Sequence, residues 1–210
     1  MALPQVPFID GAGLSKTYPA HLDASGGYAV VHSLDGQVPT YSAAGSAFAQ
    51  VATPTVWLVI QGSASKTVRI RRIERSGAAT AAGSMPAVVA RCSAAGTIAP
   101  GALTTVTSVE HDSAGAAATA VVSTVGTANY GVVPTVVANV AAGRVNMVAL
   151  GSAATSSAGN PLVFEFGAAG ESGLVLRGTS EFITISGSGA AIPSGGVNDY
   201  RIVWTEESES

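Results

Sequence analysis

Charge is what this sequence has least of. Only 11% of its 210 residues are Asp, Glu, Lys or Arg, and the formal net charge is −3. An average globular domain carries about 25%. So little charge, with an acidic balance, argues against general nucleic-acid binding. It also leaves much of the surface uncharged, which is an argument for coverage by partner subunits. Cysteine is nearly absent: Cys92 stands alone, so there is no intrachain disulfide framework. Its place in the run 87–92 suits a buried, inert thiol. Continuous apolar runs fall short of the ~18–20 residues of a membrane span. The opening Met1-Ala-Leu-Pro-Gln-Val-Pro has no basic region and is interrupted by Pro4 and Pro7, unlike a secretory signal. No Asn-x-Ser/Thr sequon occurs. The expectation is a protein made in the cytoplasm, without a membrane anchor.

Catalytic and cofactor signatures are missing as well. His21, His32 and His111 lack metal-ligand spacing, and His21 with Asp23 is a weak pair at best. His111-Asp112-Ser113 are adjacent, whereas a triad needs side chains converging from separate segments. An Asp-Ser turn is the better reading. Ser65-Lys66-Thr67 lacks the upstream glycines of a phosphate loop, and no G-x-S-x-G elbow occurs. Glu165, Glu171 and Glu181 would have to converge to act as a glycosidase pair, and no pattern says that they do. Glu206-Glu207 read as part of a solvated acidic tail. Trp57 and Trp204 lie in apolar strand patterns, which suits core packing better than carbohydrate stacking. No catalytic residue, metal or cofactor is expected.

What is present is strand pattern. From residue 55 onward short runs alternate or turn apolar: 55–60, 67–75, 87–92, 103–109, 118–123, 132–138, 145–150, 161–166, 174–176, 181–186 and 200–204. Loops rich in Gly, Ser, Ala and Thr separate them, which indicates a β-sandwich or jelly roll. In 67–75, Val68 and Ile70 share a face, and the doubled Arg71-Arg72 then moves Ile73 to the opposite phase, which suggests a β-bulge or a strand changing faces. The Ala-rich stretch 113–128 carries interleaved Gly, Thr and Val and reads as strand and loop rather than helix. Residues 1–50 differ. Pro4, Pro7, Pro19 and Pro39, several glycines and the isolated aromatics Phe8, Tyr18 and Tyr28 suggest an extended N-terminal arm with one short strand at 28–32. Basic residues concentrate in one place: Lys66, Arg69, Arg71, Arg72 and Arg75 are five of the ten Lys and Arg. They suit an acidic partner or nucleic acid on one reading, and on the other a solvated strand face paired with acids of a neighbouring strand or subunit.

Several segments together resemble tailed-bacteriophage virion structural proteins of the decoration or head-fibre type. These are Lys-Thr-Val-Arg-Ile-Arg-Arg-Ile (66–73), His-Asp-Ser (111–113), Leu-Arg-Gly-Thr-Ser-Glu-Phe-Ile-Thr-Ile (176–185) and Ile-Val-Trp-Thr-Glu-Glu (202–207). The resemblance spans about 55–207 and implies an all-β jelly-roll or β-sandwich fold; with the arm read over 1–50 and an acidic tail at 208–210, the domain falls at 51–207. It implies a homotrimer in the virion, bound to a major capsid protein or another virion protein, with no membrane and no direct nucleic-acid contact. Phe8, Tyr18, Tyr28, Lys66, Arg69, Arg71 and Arg72 are the expected partner contacts. The alternative reading is a receptor- or glycan-binding module of a head fibre or tail.

Overall fold

The backbone of the computed structural model is strand and turn throughout its described parts. These are residues 5–9, 15–19, 21–22, 28–29, 38–49, 56–80, 83–94, 97–98, 103–125, 130–132, 135–149, 161–167, 173–188, 193 and 195–208. Eighteen strands are described: β1 (Gln5–Ile9), β2 (Ser15–Pro19), β3 (His21–Leu22), β4 (Tyr28–Ala29), β5 (Thr40–Ala49), β6 (Leu58–Gln61), β7 (Lys66–Ala79), β8 (Gly83–Ala94), β9 (Thr97–Ile98), β10 (Leu103–Val106), β11 (Val109–Glu110), β12 (Val121–Val125), β13 (Tyr130–Val132), β14 (Thr135–Ala149), β15 (Leu162–Glu165), β16 (Leu174–Arg177), β17 (Phe182–Ser186) and β18 (Val197–Ser208).

Two antiparallel sheets pack face to face as a β-sandwich, the all-β class that the strand periodicity predicts. The first runs β10-β12-β6-β17-β8-β14. The second has β7 at its centre, with β18, β5 and β11 following on one side and β15 and β16 on the other. The last two residues of β14 leave the first sheet and run parallel to β7, Val148 beside Ala78 and Ala149 beside Ala79. The core lies between the layers, where period-two alternation turns every second residue inward. Trp57, Leu58, Ile60, Val89, Val122, Ile183 and Ile185 come from the first sheet and its flank. Val68, Ile70, Ile73, Leu176, Tyr200, Ile202 and Trp204 come from the second. Tyr41 stacks on Trp204 with ring centroids 5.9 Å apart, and Trp57 meets Tyr200 edge-on at 6.0 Å. Both tryptophans are core residues. So is Cys92, buried with Val59, Ala90 and Phe182 in a smaller cluster, its thiol pushed up by burial and 3.4 Å from the Thr184 hydroxyl.

The sequence-based boundary at residue 50 moves. Residues 1–37 form one compact unit, and everything from Val38 onward belongs to the other. Within the first unit β1 pairs with β2 and β3 with β4, so the expected arm contains regular pairing. Thr40–Ala49, expected in the arm, is instead a full strand of the second sheet, paired with β18 from Thr40–Thr205 to Ala49–Val197 with one register shift between Tyr200 and Asn198. Its small residues hide the pattern: among the described side chains, Tyr41 and Ala43 carry the inward phase. At Gly45 the side chain is missing because the Tyr200 ring lies where a Cβ would sit.

The solvated tail expected at Glu206-Glu207 is also corrected. Strand β18 continues to Ser208, and Glu206 is only 3% exposed. Its carboxylate accepts from the Thr119 N–H at 3.0 Å, the Thr119 hydroxyl at 2.6 Å, the Ala120 N–H at 2.9 Å and the Trp204 indole N–H at 3.0 Å. Thr119 is tied onward to the buried Ser63 hydroxyl at 2.7 Å, which in turn accepts from the Ser65 and Lys66 amides. One carboxylate therefore binds the 116–120 segment and the 63–66 turn to the end of β18. Burial alone pushes the Glu206 carboxyl up. The hydrogen bonds outweigh it and hold the group below the usual carboxylate range.

That knot predicts an acid limb. The folded pKa lies below the unfolded one, so its stabilisation is complete above the ordinary Glu value and is lost as pH falls through the folded value. Glu206→Ala should cost about 3 kcal/mol at neutral pH, the scale for leaving several buried donors without their anion. Urea midpoints measured from neutral to acid pH should converge for wild type and variant. Parallel curves would mean the carboxylate is not the acid-sensitive group.

Candidate functional site

The outer face of the second sheet gathers several of the chain's cations, and strand β7 explains how. From Thr67 to Ile70 the strand alternates with Val68 and Ile70 inward. Val203 of β18 then opposes Arg72 while Trp204 opposes Ile70, so Arg71 is the extra residue of a β-bulge. The bulge foreseen at the doubled arginine is there. On the other side of β7, β16 pairs with residues 67–70 and β15 with 72–75. Arg71 therefore falls in the gap between them, where its carbonyl accepts the Phe166 N–H at 2.9 Å.

One extra residue decides which cation goes inside. Unbroken alternation would have carried Arg72 and Glu74 inward; after the bulge Ile73 and Arg75 take those places. Arg75 is buried. Its Nε and Nη2 donate to Asn198 Oδ1 at 3.1 and 2.7 Å, and its guanidinium lies 4.3 Å from the Trp57 ring centroid. Burial pulls it down to about 9, so it stays charged at neutral pH. Arg75 is thus a core residue, separated from the other four members of the basic run.

Those four remain on the surface. Lys66 donates to Ser208 Oγ at 3.1 Å, and Arg69 pairs with Glu207 at 2.9 Å. Arg72 meets Glu74 at 2.6 Å and Glu165 at 3.6 Å. Arg71 and Arg72 line a shallow cavity of about 380 Å³ with Glu165, Phe166, Gly167, Arg201 and Val203. Gly167 has φ +77°, and a Cβ there would press on Gly173 and come within 3.3 Å of Arg71 Nη1. A glycine at this turn therefore serves both its left-handed backbone and the room the guanidinium needs.

Arg201 is the residue that sequence reasoning passed over. The alternation of Tyr200, Ile202 and Trp204 already places it on the opposite, outward face. That it stands beside β7, opposite Glu74, follows only from strand order. The expected contacts Phe8, Tyr18 and Tyr28 fall on β1, β2 and β4 of the first unit. Their side chains lie outside the described residues, as does Glu171.

The three candidate acids do not form one group among the described residues. Glu165 faces Arg72 on the second sheet. Glu181 precedes β17 of the first, where it accepts from Arg91 Nη2 at 2.6 Å and the Arg177 N–H at 2.7 Å. Burial raises its pKa, and the Arg177 and Arg91 hydrogen bonds lower it further than burial lifts it, so it stays ionised. At 111–115 the expected turn is present: Asp112 Oδ1 accepts the Ala114 N–H at 3.0 Å, and the Asp112 carbonyl accepts the Gly115 N–H at 3.1 Å. No group of three His, Cys, Asp or Glu side chains among the described residues would hold a metal ion. No helix among them is long and apolar enough to cross a membrane.

The bulge makes a direct prediction. Deleting one arginine of the Arg71-Arg72 pair restores plain alternation with Ile70, Ile73 and Arg75 still inward, so the protein should fold with a loss of about 1–2 kcal/mol. Deleting Ile73 instead would turn Glu74 inward and should abolish cooperative unfolding. Chemical denaturation followed by tryptophan fluorescence distinguishes the two; equal damage from both deletions would refute the assigned register.

No family model, no curated protein and no solved structure matches this chain.

Proposed function

We propose that this protein is a non-enzymatic structural subunit of a phage-type virion, a decoration module whose copies associate into a ring and attach to a major capsid protein or another virion protein. The observation that carries the reading is the state of the first sheet's two edges. At one edge, Thr135–Val140 of β14 is exposed along its length and carries no charge, with Val136 at 51% and Val137 at 62% exposure. At the other, β10 is likewise uncharged, with Leu103 at 47% exposure and Val121 of the adjacent β12 at 40%. Monomeric proteins defend such edges with charge, proline or a covering segment, because open ladders recruit other strands.

The two edges differ in sequence and lie on opposite sides of one sheet. Contact between β10 of one copy and β14 of the next is head-to-tail, and a head-to-tail contact closes into a ring when its rotation permits. A trimer is the smallest such ring beyond the two-fold pair. Edge hydrogen bonds and the valine side chains would supply the contact. Residues 1–37, a unit separate from the sandwich, are the segment left to reach the capsid, and repeated copies in one ring would raise attachment by avidity.

Light scattering on a sizing column tests this. Wild type should run at three times the 20.7 kDa subunit, and Val137→Lys should run as a monomer with unchanged unfolding. A wild type that stays monomeric at every concentration would falsify the assembly reading.

A further inference from the structure

We propose that the cleft at the Arg71-Arg72 bulge is a binding site for a small oxyanion, a carboxylate or phosphate group carried by a low-molecular-weight ligand. The proposal stands apart from the ring assembly, since it concerns the outer face of the other sheet.

Three guanidinium-bearing residues from two neighbouring strands line one concavity: Arg71 and Arg72 from β7 and Arg201 from β18. Their convergence has a structural cause. The bulge turns two consecutive arginines to the same side of a strand, which regular alternation forbids. Arg201 is outward by its own alternation on the strand paired with β7. Like charges gathered this way repel unless something negative lies among them.

The nearby acids do not suffice. Glu74 and Glu165 both engage Arg72, at 2.6 and 3.6 Å. Among the described residues neither Arg71 nor Arg201 has an acidic partner, whereas Arg69 and Arg91 are paired with Glu207 and Glu181. Among the described residues that line the cleft or pair with its lining, three guanidiniums face the two carboxylates of Glu74 and Glu165, which leaves positive charge over. The unneutralised part consists of guanidiniums, whose planar forks match two oxygens of a carboxylate or phosphate at once.

The rest of the wall fits a ligand with a body behind its anionic group. Phe166 and Val203 supply apolar surface beside the arginines, and about 380 Å³ lies within the range of small-molecule sites. The Phe166 amide bonded to the Arg71 carbonyl fixes this turn against the bulge. Gly167 leaves space for the Arg71 fork. The anionic group would seat between Arg71 and Arg201, with Glu165 at the rim competing for Arg72.

Titration calorimetry at constant ionic strength, using inorganic phosphate and glucuronate as separate probes, decides the matter. At least one probe should bind saturably with one site per chain. Arg71→Ala/Arg201→Ala should weaken it by about tenfold or more, the loss of two charge-assisted forks. Glu165→Gln should tighten it severalfold by removing the competing carboxylate, an effect that non-specific charge attraction would not localise to this residue. Lys66→Ala, a cation of the same strand outside the cleft, should leave the affinity unchanged. Preference for phosphate or glucuronate assigns the source of the oxyanion. Failure of both probes to saturate the wild type, or unchanged binding in the double variant, overturns the site.

Discussion

Strand β7 hydrogen-bonds to four other strands, so the direction of each of its side chains constrains both layers of the sandwich at once. Fourteen residues of plain alternation would have produced a strand with one apolar and one polar face only if the sequence kept phase. It does not: Ile70 and Ile73 are three apart and both must be inside. The bulge at Arg71 reconciles them. Everything beside it follows, because β15 and β16 pair on either side of the extra residue and their connecting turn meets its carbonyl. A requirement of the core thus sets the composition of the surface, two adjacent arginines on one face.

Buried polar groups sit near both ends of β18. Asn198 receives the Arg75 guanidinium at one end, and Glu206 receives Thr119, Ala120 and Trp204 at the other. Neither is an isolated charge in hydrocarbon. Arg75 has the Asn198 carbonyl oxygen and the face of Trp57, and Glu206 has four donor groups. Such arrangements add little stability compared with apolar replacements, but their geometry is demanding. A strand slipped by one residue would turn both groups to the wrong face and leave their partners behind. The apolar residues between them, Tyr200, Ile202 and Trp204, tolerate a slip of two far better than these polar anchors do.

Much of this was legible in the chain. Alternation located most strands of the sandwich, the doubled arginine located the bulge, and the two tryptophans announced themselves as core by their apolar neighbours. Strand β5 was not legible, because Thr-Tyr-Ser-Ala-Ala-Gly-Ser-Ala-Phe-Ala offers little contrast between its faces. Glu206 was misread because acids beside it suggest solvent. Three of its four donors come from Thr119 and Ala120, some 86 residues away, and no local pattern reports them. The cleft was half legible: Arg71 and Arg72 stood out, but Arg201 joins them only through strand order, which periodicity does not encode.

The pairing of β5 with β18 also says how the sandwich would bear a load. The chain enters this unit at Val38, and Pro39 accepts the Glu206 amide at 3.1 Å, so the first residue of β5 and the last turns of β18 lie side by side. Tension applied between residue 38 and residue 208 would open the two strands like a zipper, one hydrogen bond at a time, the weakest direction for a β-ladder. The Glu206 knot sits at that opening end. It behaves as a rivet that fastens β18 to two distant segments, so under such a load β5 is the strand that peels and β18 the one that stays.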